Sequence, residues 1–258
     1  MELGAWILAI KESRPDTVSY LDCVASIARL HDETVNIWSH LLAAIYFSLS
    51  AVRLVALSVH NFTQNAAVVL VYTLAVASCL WCSTIYHTCT AHAQADFWQH
   101  LDHLGILTSM WASSMAFTFL AFKRQERIRC VYILIINSAA LQSYLRLCTI
   151  RFEESAYWNR ICTHTAFGSV ATLPGLHHAY QACVGGRKSI LLRAFILLVM
   201  LNGLGGSIYA TKFLDDIIGV RTGIPDISHF VMHISTVLAA RIYQQGLSTA
   251  SKASICQS

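Results

Sequence analysis

Residues 65–87 read NAAVVLVYTLAVASCLWCSTIYH. No charged side chain interrupts the run until the imidazole that ends it. As a helix, 23 residues rise about 35 Å, enough to cross a hydrocarbon layer of about 30 Å. Ser83 and His87 stand four apart, so a helix places their hydroxyl and imidazole on one face at its C-terminal end. Hydrogen-bonding, metal-capable groups at such a place need partners, and the rest of the chain has to supply them.

The same apolar texture extends outward from this stretch. The chain has 258 residues, 55% of them hydrophobic and 12% charged, about half the charge of a soluble domain. Seven apolar blocks qualify as spans, near 37–59, 64–87, 101–122, 128–148, 162–183, 189–210 and 227–247. Lipid offers no partner for backbone N–H and C=O groups, so helices are the economical solution. The short alternating segments of a β-barrel do not appear. The expectation is an all-α integral membrane protein, a seven-transmembrane helix bundle over 37–248, with an N-terminal segment 1–36 and a tail 249–258.

Composition excludes several classes. The net charge of +4 is small and dispersed, with no Lys/Arg cluster interleaved with aromatics, so nucleic acid is not a partner. The nine cysteines lie mostly in apolar blocks and read as small hydrophobes, not as a disulfide framework. The opening MELGAWILAI has no basic region before its apolar run, and it reads as an interfacial segment. Lys and Arg are divided almost evenly between the two faces, which leaves orientation open. The carboxylates gather on the N-terminal face, with Glu126 the exception. Asn61-Phe62-Thr63 is a glycosylation acceptor pattern which, if used, makes the first loop lumenal and the N-terminus cytosolic.

Counting spans brings polar groups together. The third block opens QHLDHLGI, with Asp102 just inside it, and the seventh opens DISHFVMHIS, with His229 and His233 four apart. Alternation puts Ser83, His87, Asp102, His229 and His233 at one end of the bundle. Three neutral imidazoles suit zinc, and three protein ligands leave a fourth position for water. Zinc lowers the pKa of such a water to about 7. Asp102 is placed to hold that water or take its proton, and Ser83 to orient the water, a substrate oxygen or a ligand imidazole. Each residue also has a plainer reading. A lone intramembrane His is often a hydrogen-bonded interior group, HxxxH arises by chance among 12 histidines, Asp102 has His100 and His103 as neighbours, and Ser is common in helix contacts. Convergence at one depth, where polar groups are costly, favours a site.

Other features read more simply. His92, His100 and His103 read as solvated interfacial residues, Pro174 as a kink, and His177 as a pocket wall beside His178. Trp38, Trp81, Trp98, Trp111 and Trp158 read mostly as interfacial anchors, and Gly203 with Ser207 as a place for close helix packing.

HDETVNIWSHLL at 31–42, SxxxH at 83–87, LDHLGI at 101–106, Pro-x-x-His at 174–177, GSIYATK at 206–212 and SHxxxH at 228–233 together resemble the progestin and adipoQ receptor, or haemolysin-III-related, family. The resemblance covers nearly the whole chain after residue 30. It implies seven helices around a zinc ion near the cytosolic face, with His87, His229 and His233 as ligands and Asp102 and Ser83 beside the zinc-held water. It also implies a cytosolic N-terminus and links to lipid, sterol and zinc homeostasis, to receptors, and to ceramidase-type amide hydrolysis. The chain departs from the family in the loop FLDDIIGVRTGIPD and in Phe230, where the family commonly has Gln.

The expectation is therefore a zinc-dependent lipid amide hydrolase in a bilayer, with a membrane lipid as substrate or ligand. A non-catalytic receptor or homeostatic sensor with structural zinc stands beside it. So does an acid-catalysed lipid isomerase or cyclase using Asp102 or Glu33. A zinc transporter is disfavoured, because no chain of carboxylates crosses the bilayer. Oligomeric state stays open.

Overall fold

A computed structural model of the chain describes residues 19–58, 62–149, 156–186 and 188–253. The opening segment MELGAWILAI and Asn61 of the acceptor triplet lie outside these. A short helix α1 (Tyr20–Ser26) precedes seven long ones: α2 (Thr34–Ser58), α3 (Gln64–Thr88), α4 (Ala95–Ala121), α5 (Glu126–Thr149), α6 (Ala156–Val184), α7 (Ile190–Thr211) and α8 (Ile227–Ala253). A π-helical segment (Asp215–Gly219) and one helical turn (Val220–Thr222) join α7 to α8. The seven stand where the apolar blocks predict them. α4 and α6 each begin six residues before the expected span, because their first turns, with Asp96 and Asn159, are polar helix outside the apolar run.

Five of the seven, α2, α3, α4, α5 and α7, are long and apolar enough to cross a membrane. α6 and α8 are as long but carry more polar side chains, among them the buried Thr163, Ser228, His233 and Gln244. α8 contacts α2, α3, α4 and α7, and α4 contacts α3, α5, α6, α7 and α8. The main core joins α2, α3, α4, α7 and α8 through Phe47, Tyr72, Phe117, Phe195, Tyr243 and Leu247. A smaller one, around Leu107, Ile136 and Phe167, joins α4, α5 and α6.

Buried hydroxyls in the core are hydrogen-bonded, as an apolar medium requires. Tyr72 donates to the Ala240 carbonyl at 2.9 Å and Tyr243 to the Ser113 carbonyl at 2.9 Å. Side-chain caps start α3 and α7: Thr63 accepts from Ala66 N–H and Ser189 from Leu192 N–H, both at 3.2 Å. Gly105 lets α4 approach α3 closely, since a Cβ there would stand 3.0 Å from Cys79 Cα.

Two sequence expectations are corrected. The close packing of α7 falls at Gly205, where a Cβ would meet Ser235 Cβ at 3.0 Å, while Gly203 faces open space and the exposed Ser207 bonds back to the Gly203 carbonyl. Two residues turn a helix by about 200°, so the spacing of Gly203 and Ser207 puts the contact on the wrong side. Trp111 is no interfacial anchor: it lies in the middle of α4 and its indole donates to Asn137 Oδ1 of α5 at 3.0 Å. Pro174 lies buried inside α6, which runs on through it.

Candidate metal centre

The last turn of α3 and the first turns of α4 and α8 meet at one end of the bundle, together with the segment that enters α2. His87 of α3 and His229 and His233 of α8 form a group whose ligand atoms lie within 4.8 Å of one another. Their ring centroids are separated by 5.1 Å (His87–His229), 4.8 Å (His87–His233) and 4.6 Å (His229–His233). His87 and His233 are buried and His229 partly so.

The ring nitrogens have a consistent orientation. His87 Nδ1 is 2.8 Å from Glu33 Oε2, and His229 Nδ1 is 2.8 Å from Asp226 Oδ2. His233 Nδ1 lies 3.5 Å from Ser39 Oγ. The Nε2 atoms are left to face inward. His229 Nε2 and His233 Nε2 are 3.1 Å apart, and His87 Nε2 is buried without a hydrogen-bond partner among the described residues. Two nitrogens each about 2.0–2.1 Å from a tetrahedral ion stand roughly 3.3 Å apart, so the α8 pair already has the spacing of two ligands. The group could therefore hold a metal ion.

Asp102 is buried in the second turn of α4, with the Ser83 hydroxyl interacting with its carboxylate and with His87 and His229 in electrostatic reach. Among the described residues neither His100 nor His103 forms an ion pair with it. Thus Ser83, His87, Asp102, His229 and His233, read from separate stretches of sequence, are neighbours. His103 instead pairs with His164 of α6, Nδ1 to Nε2 at 3.1 Å, and is not simply solvated. His92 is half-buried and stacks on Tyr20, ring centroids 4.3 Å apart.

Sequence reasoning passes over the residues behind the imidazoles. It offers Glu33 only as an alternative acid and gives Asp226, Ser39 and His40 no role. His40 is buried and stacks on His233 with centroids 3.7 Å apart and an interplanar angle of 11°. Glu33 also accepts from Asn36 Nδ2 at 2.8 Å. Burial would raise the Glu33 pKa, but its contacts with His87 and the Asn36 amide outweigh it and hold the carboxyl well below its usual range. The signal for these residues is HDETVNIWSHLL itself: Glu33, Asn36 and His40 recur at helical spacing on one face of the α2 entry.

A bundle of apolar helices with an inward-facing polyhistidine group at one end defines a class, the helical membrane protein with a buried candidate metal site. Comparison with known proteins gives the family. The haemolysin-III-related family profile matches residues 28–244, and the chain belongs to that family. It is similar to the adiponectin receptor protein of Drosophila melanogaster, 27% identical over 91% of this chain and 54% of the relative. It is similar to progestin and adipoQ receptor-like protein 1 of Caenorhabditis elegans, 25% identical over 91% of this chain and 55% of the relative. It also resembles the ADIPOR-like receptor IZH2 of Saccharomyces cerevisiae, 25% identical over 90% of this chain and 75% of the relative. The chain spans about half the length of the first two. With its apolar helices, this makes it an integral, multi-pass membrane protein.

Proposed function

We propose that the chain is a seven-span membrane hydrolase that cleaves a lipid amide of the ceramide type with zinc held by His87, His229 and His233. One observation carries this reading: three imidazoles, two of them with Nε2 atoms 3.1 Å apart, converge beside a buried carboxylate. The donor set fits zinc, which accepts imidazole nitrogen in four-coordinate sites, and three protein ligands are the number that catalytic sites use. Bound there, zinc would supply Lewis acidity toward an amide carbonyl and toward water.

The chain's own residues would do the rest. Asp102 takes a proton from the attacking water and returns it to the leaving amine nitrogen, so one group serves as base and then acid. Ser83 holds the Asp102 carboxylate, which fixes the direction from which the proton is taken. The apolar helix faces around the site accept the acyl chain and exclude bulk water, which strengthens each charge interaction inside. The site faces the cytosol in this reading, with the N-terminal segment on the same side.

The test is amide hydrolysis by purified protein in defined lipid, with Asp102→Asn and His87→Ala alongside. Loss of turnover in both supports the hydrolase; equal turnover in all three rules it out. A second reading, a receptor in which the metal is a structural staple, is favoured by the names of the relatives, each called a receptor. It requires bound metal with no turnover, and ligand-dependent signalling that survives Asp102→Asn.

A further inference from the structure

A histidine bound to a metal through one ring nitrogen has to be held in the correct tautomer and rotation by whatever meets the other nitrogen. In this bundle the two needs separate cleanly between residues. Glu33 and Asp226 are acceptors at 2.8 Å from Nδ1 of His87 and His229, so each carboxylate favours the Nδ1–H tautomer and leaves the Nε2 lone pair facing its neighbours. They come from unrelated places. Glu33 sits at the entry to α2, steadied by Asn36. Asp226 sits at the entry to α8 with φ 58, and in this left-handed turn its carboxylate reaches His229 three residues on. Backbone at positive φ suits Asp, Asn and Gly and few other residues.

The charges also match. Three neutral imidazoles leave a divalent ion's charge uncompensated in a poorly hydrated setting, which is costly. Two carboxylates one imidazole away offset it. His233 has no such acid: a hydroxyl at 3.5 Å and the His40 ring stacked at 3.7 Å set its orientation by packing.

On the reading that the three histidines hold zinc, we infer that Glu33 and Asp226 are positioning residues that set the tautomer of two ligands and neutralise the bound ion. The motif at the start of α2 thereby gains a role: it is the shell that orients ligands supplied by α3 and α8. Glu33 should matter more than Asp226, because its side chain is 22% exposed against 49%.

The experiment titrates Zn²⁺ alone into metal-stripped, full-chain protein in lipid nanodiscs, against a chromophoric chelator, with helicity followed by circular dichroism. Glu33→Gln and Asp226→Asn keep shape and remove charge, and Asn accepts the positive φ. Each should weaken zinc binding about 10- to 100-fold, Glu33→Gln more, with helicity intact. Visible absorption of the Co²⁺-loaded variants should shift, which a loss of stability alone would not cause. Asp216→Asn, an exposed acid on the same connecting segment, should bind zinc like the wild type. Unchanged affinity in both variants, or equal weakening by Asp216→Asn, overturns the inference while leaving the metal site standing. Failure of the wild type to bind zinc overturns the metal reading itself. If Glu33→Gln does not fold, Asp226→Asn on its exposed turn decides alone.

Discussion

The two ends of the bundle use the same side-chain chemistry to opposite effect. At one end His87, His229 and His233 turn Nδ1 toward oxygen acceptors and leave Nε2 facing inward. At the other, His177 of α6 has both nitrogens engaged, Nδ1 by the Tyr132 hydroxyl at 2.9 Å and Nε2 by the Gln181 amide at 3.0 Å. Gln181 also donates to Gln125 Oε1 at 3.2 Å, and Phe122 packs on the His177 ring. This second network is closed on itself and joins the α4–α5 connection to α6. What separates the two ends is thus what remains free on the rings, which makes the first group a candidate for metal binding and His177 a strut.

That contrast can be broken most directly at His233. His233→Ala should abolish stoichiometric zinc in metal analysis of the purified protein, while His177→Ala should leave it unchanged. Equal metal loss in both would erase the distinction between the ends. Asp102→Asn should lower amide turnover by about 10²–10⁴-fold with zinc content retained, since it removes a proton-transfer group and no ligand. At the far end the expected effects are on stability. A Cβ on Gly246 of α8 would clash with Ala194 Cβ of α7, so Gly246→Ala should destabilise by about 1–3 kcal/mol, read as a lower unfolding temperature. Tyr132→Phe removes one hydrogen bond of the closed network and should cost about 0.5–1.5 kcal/mol without altering zinc binding.

Much of the candidate-site end is legible in the amino-acid sequence. Apolar blocks set the order of the helices, and counting crossings brings SxxxH, Asp102 and HxxxH to one end. These residues lie on regular helix, where spacing gives the face directly. The residues behind them are hidden because their contacts depend on irregular backbone. Asp226 reaches His229 through a left-handed turn, and Glu33 reaches His87 across 54 residues from a segment ahead of the helix. Helix rotation is the other blind spot. Spacing points to Gly203 where Gly205 makes the contact, and position near an apolar block suggests an anchor at Trp111 where the indole meets Asn137. In a helix that is apolar all round, hydrophobicity carries little phase information, so the buried side cannot be read from pattern alone.

The hydroxyls of Tyr72 and Tyr243 tie the last helix to two others at once, through the Ala240 and Ser113 carbonyls. Advancing α8 by one turn, about 5.4 Å, would sever both ties in a medium that offers no water as replacement. This helix is therefore pinned lengthwise against α3 and α4, while α5 and α6 stand farther from it.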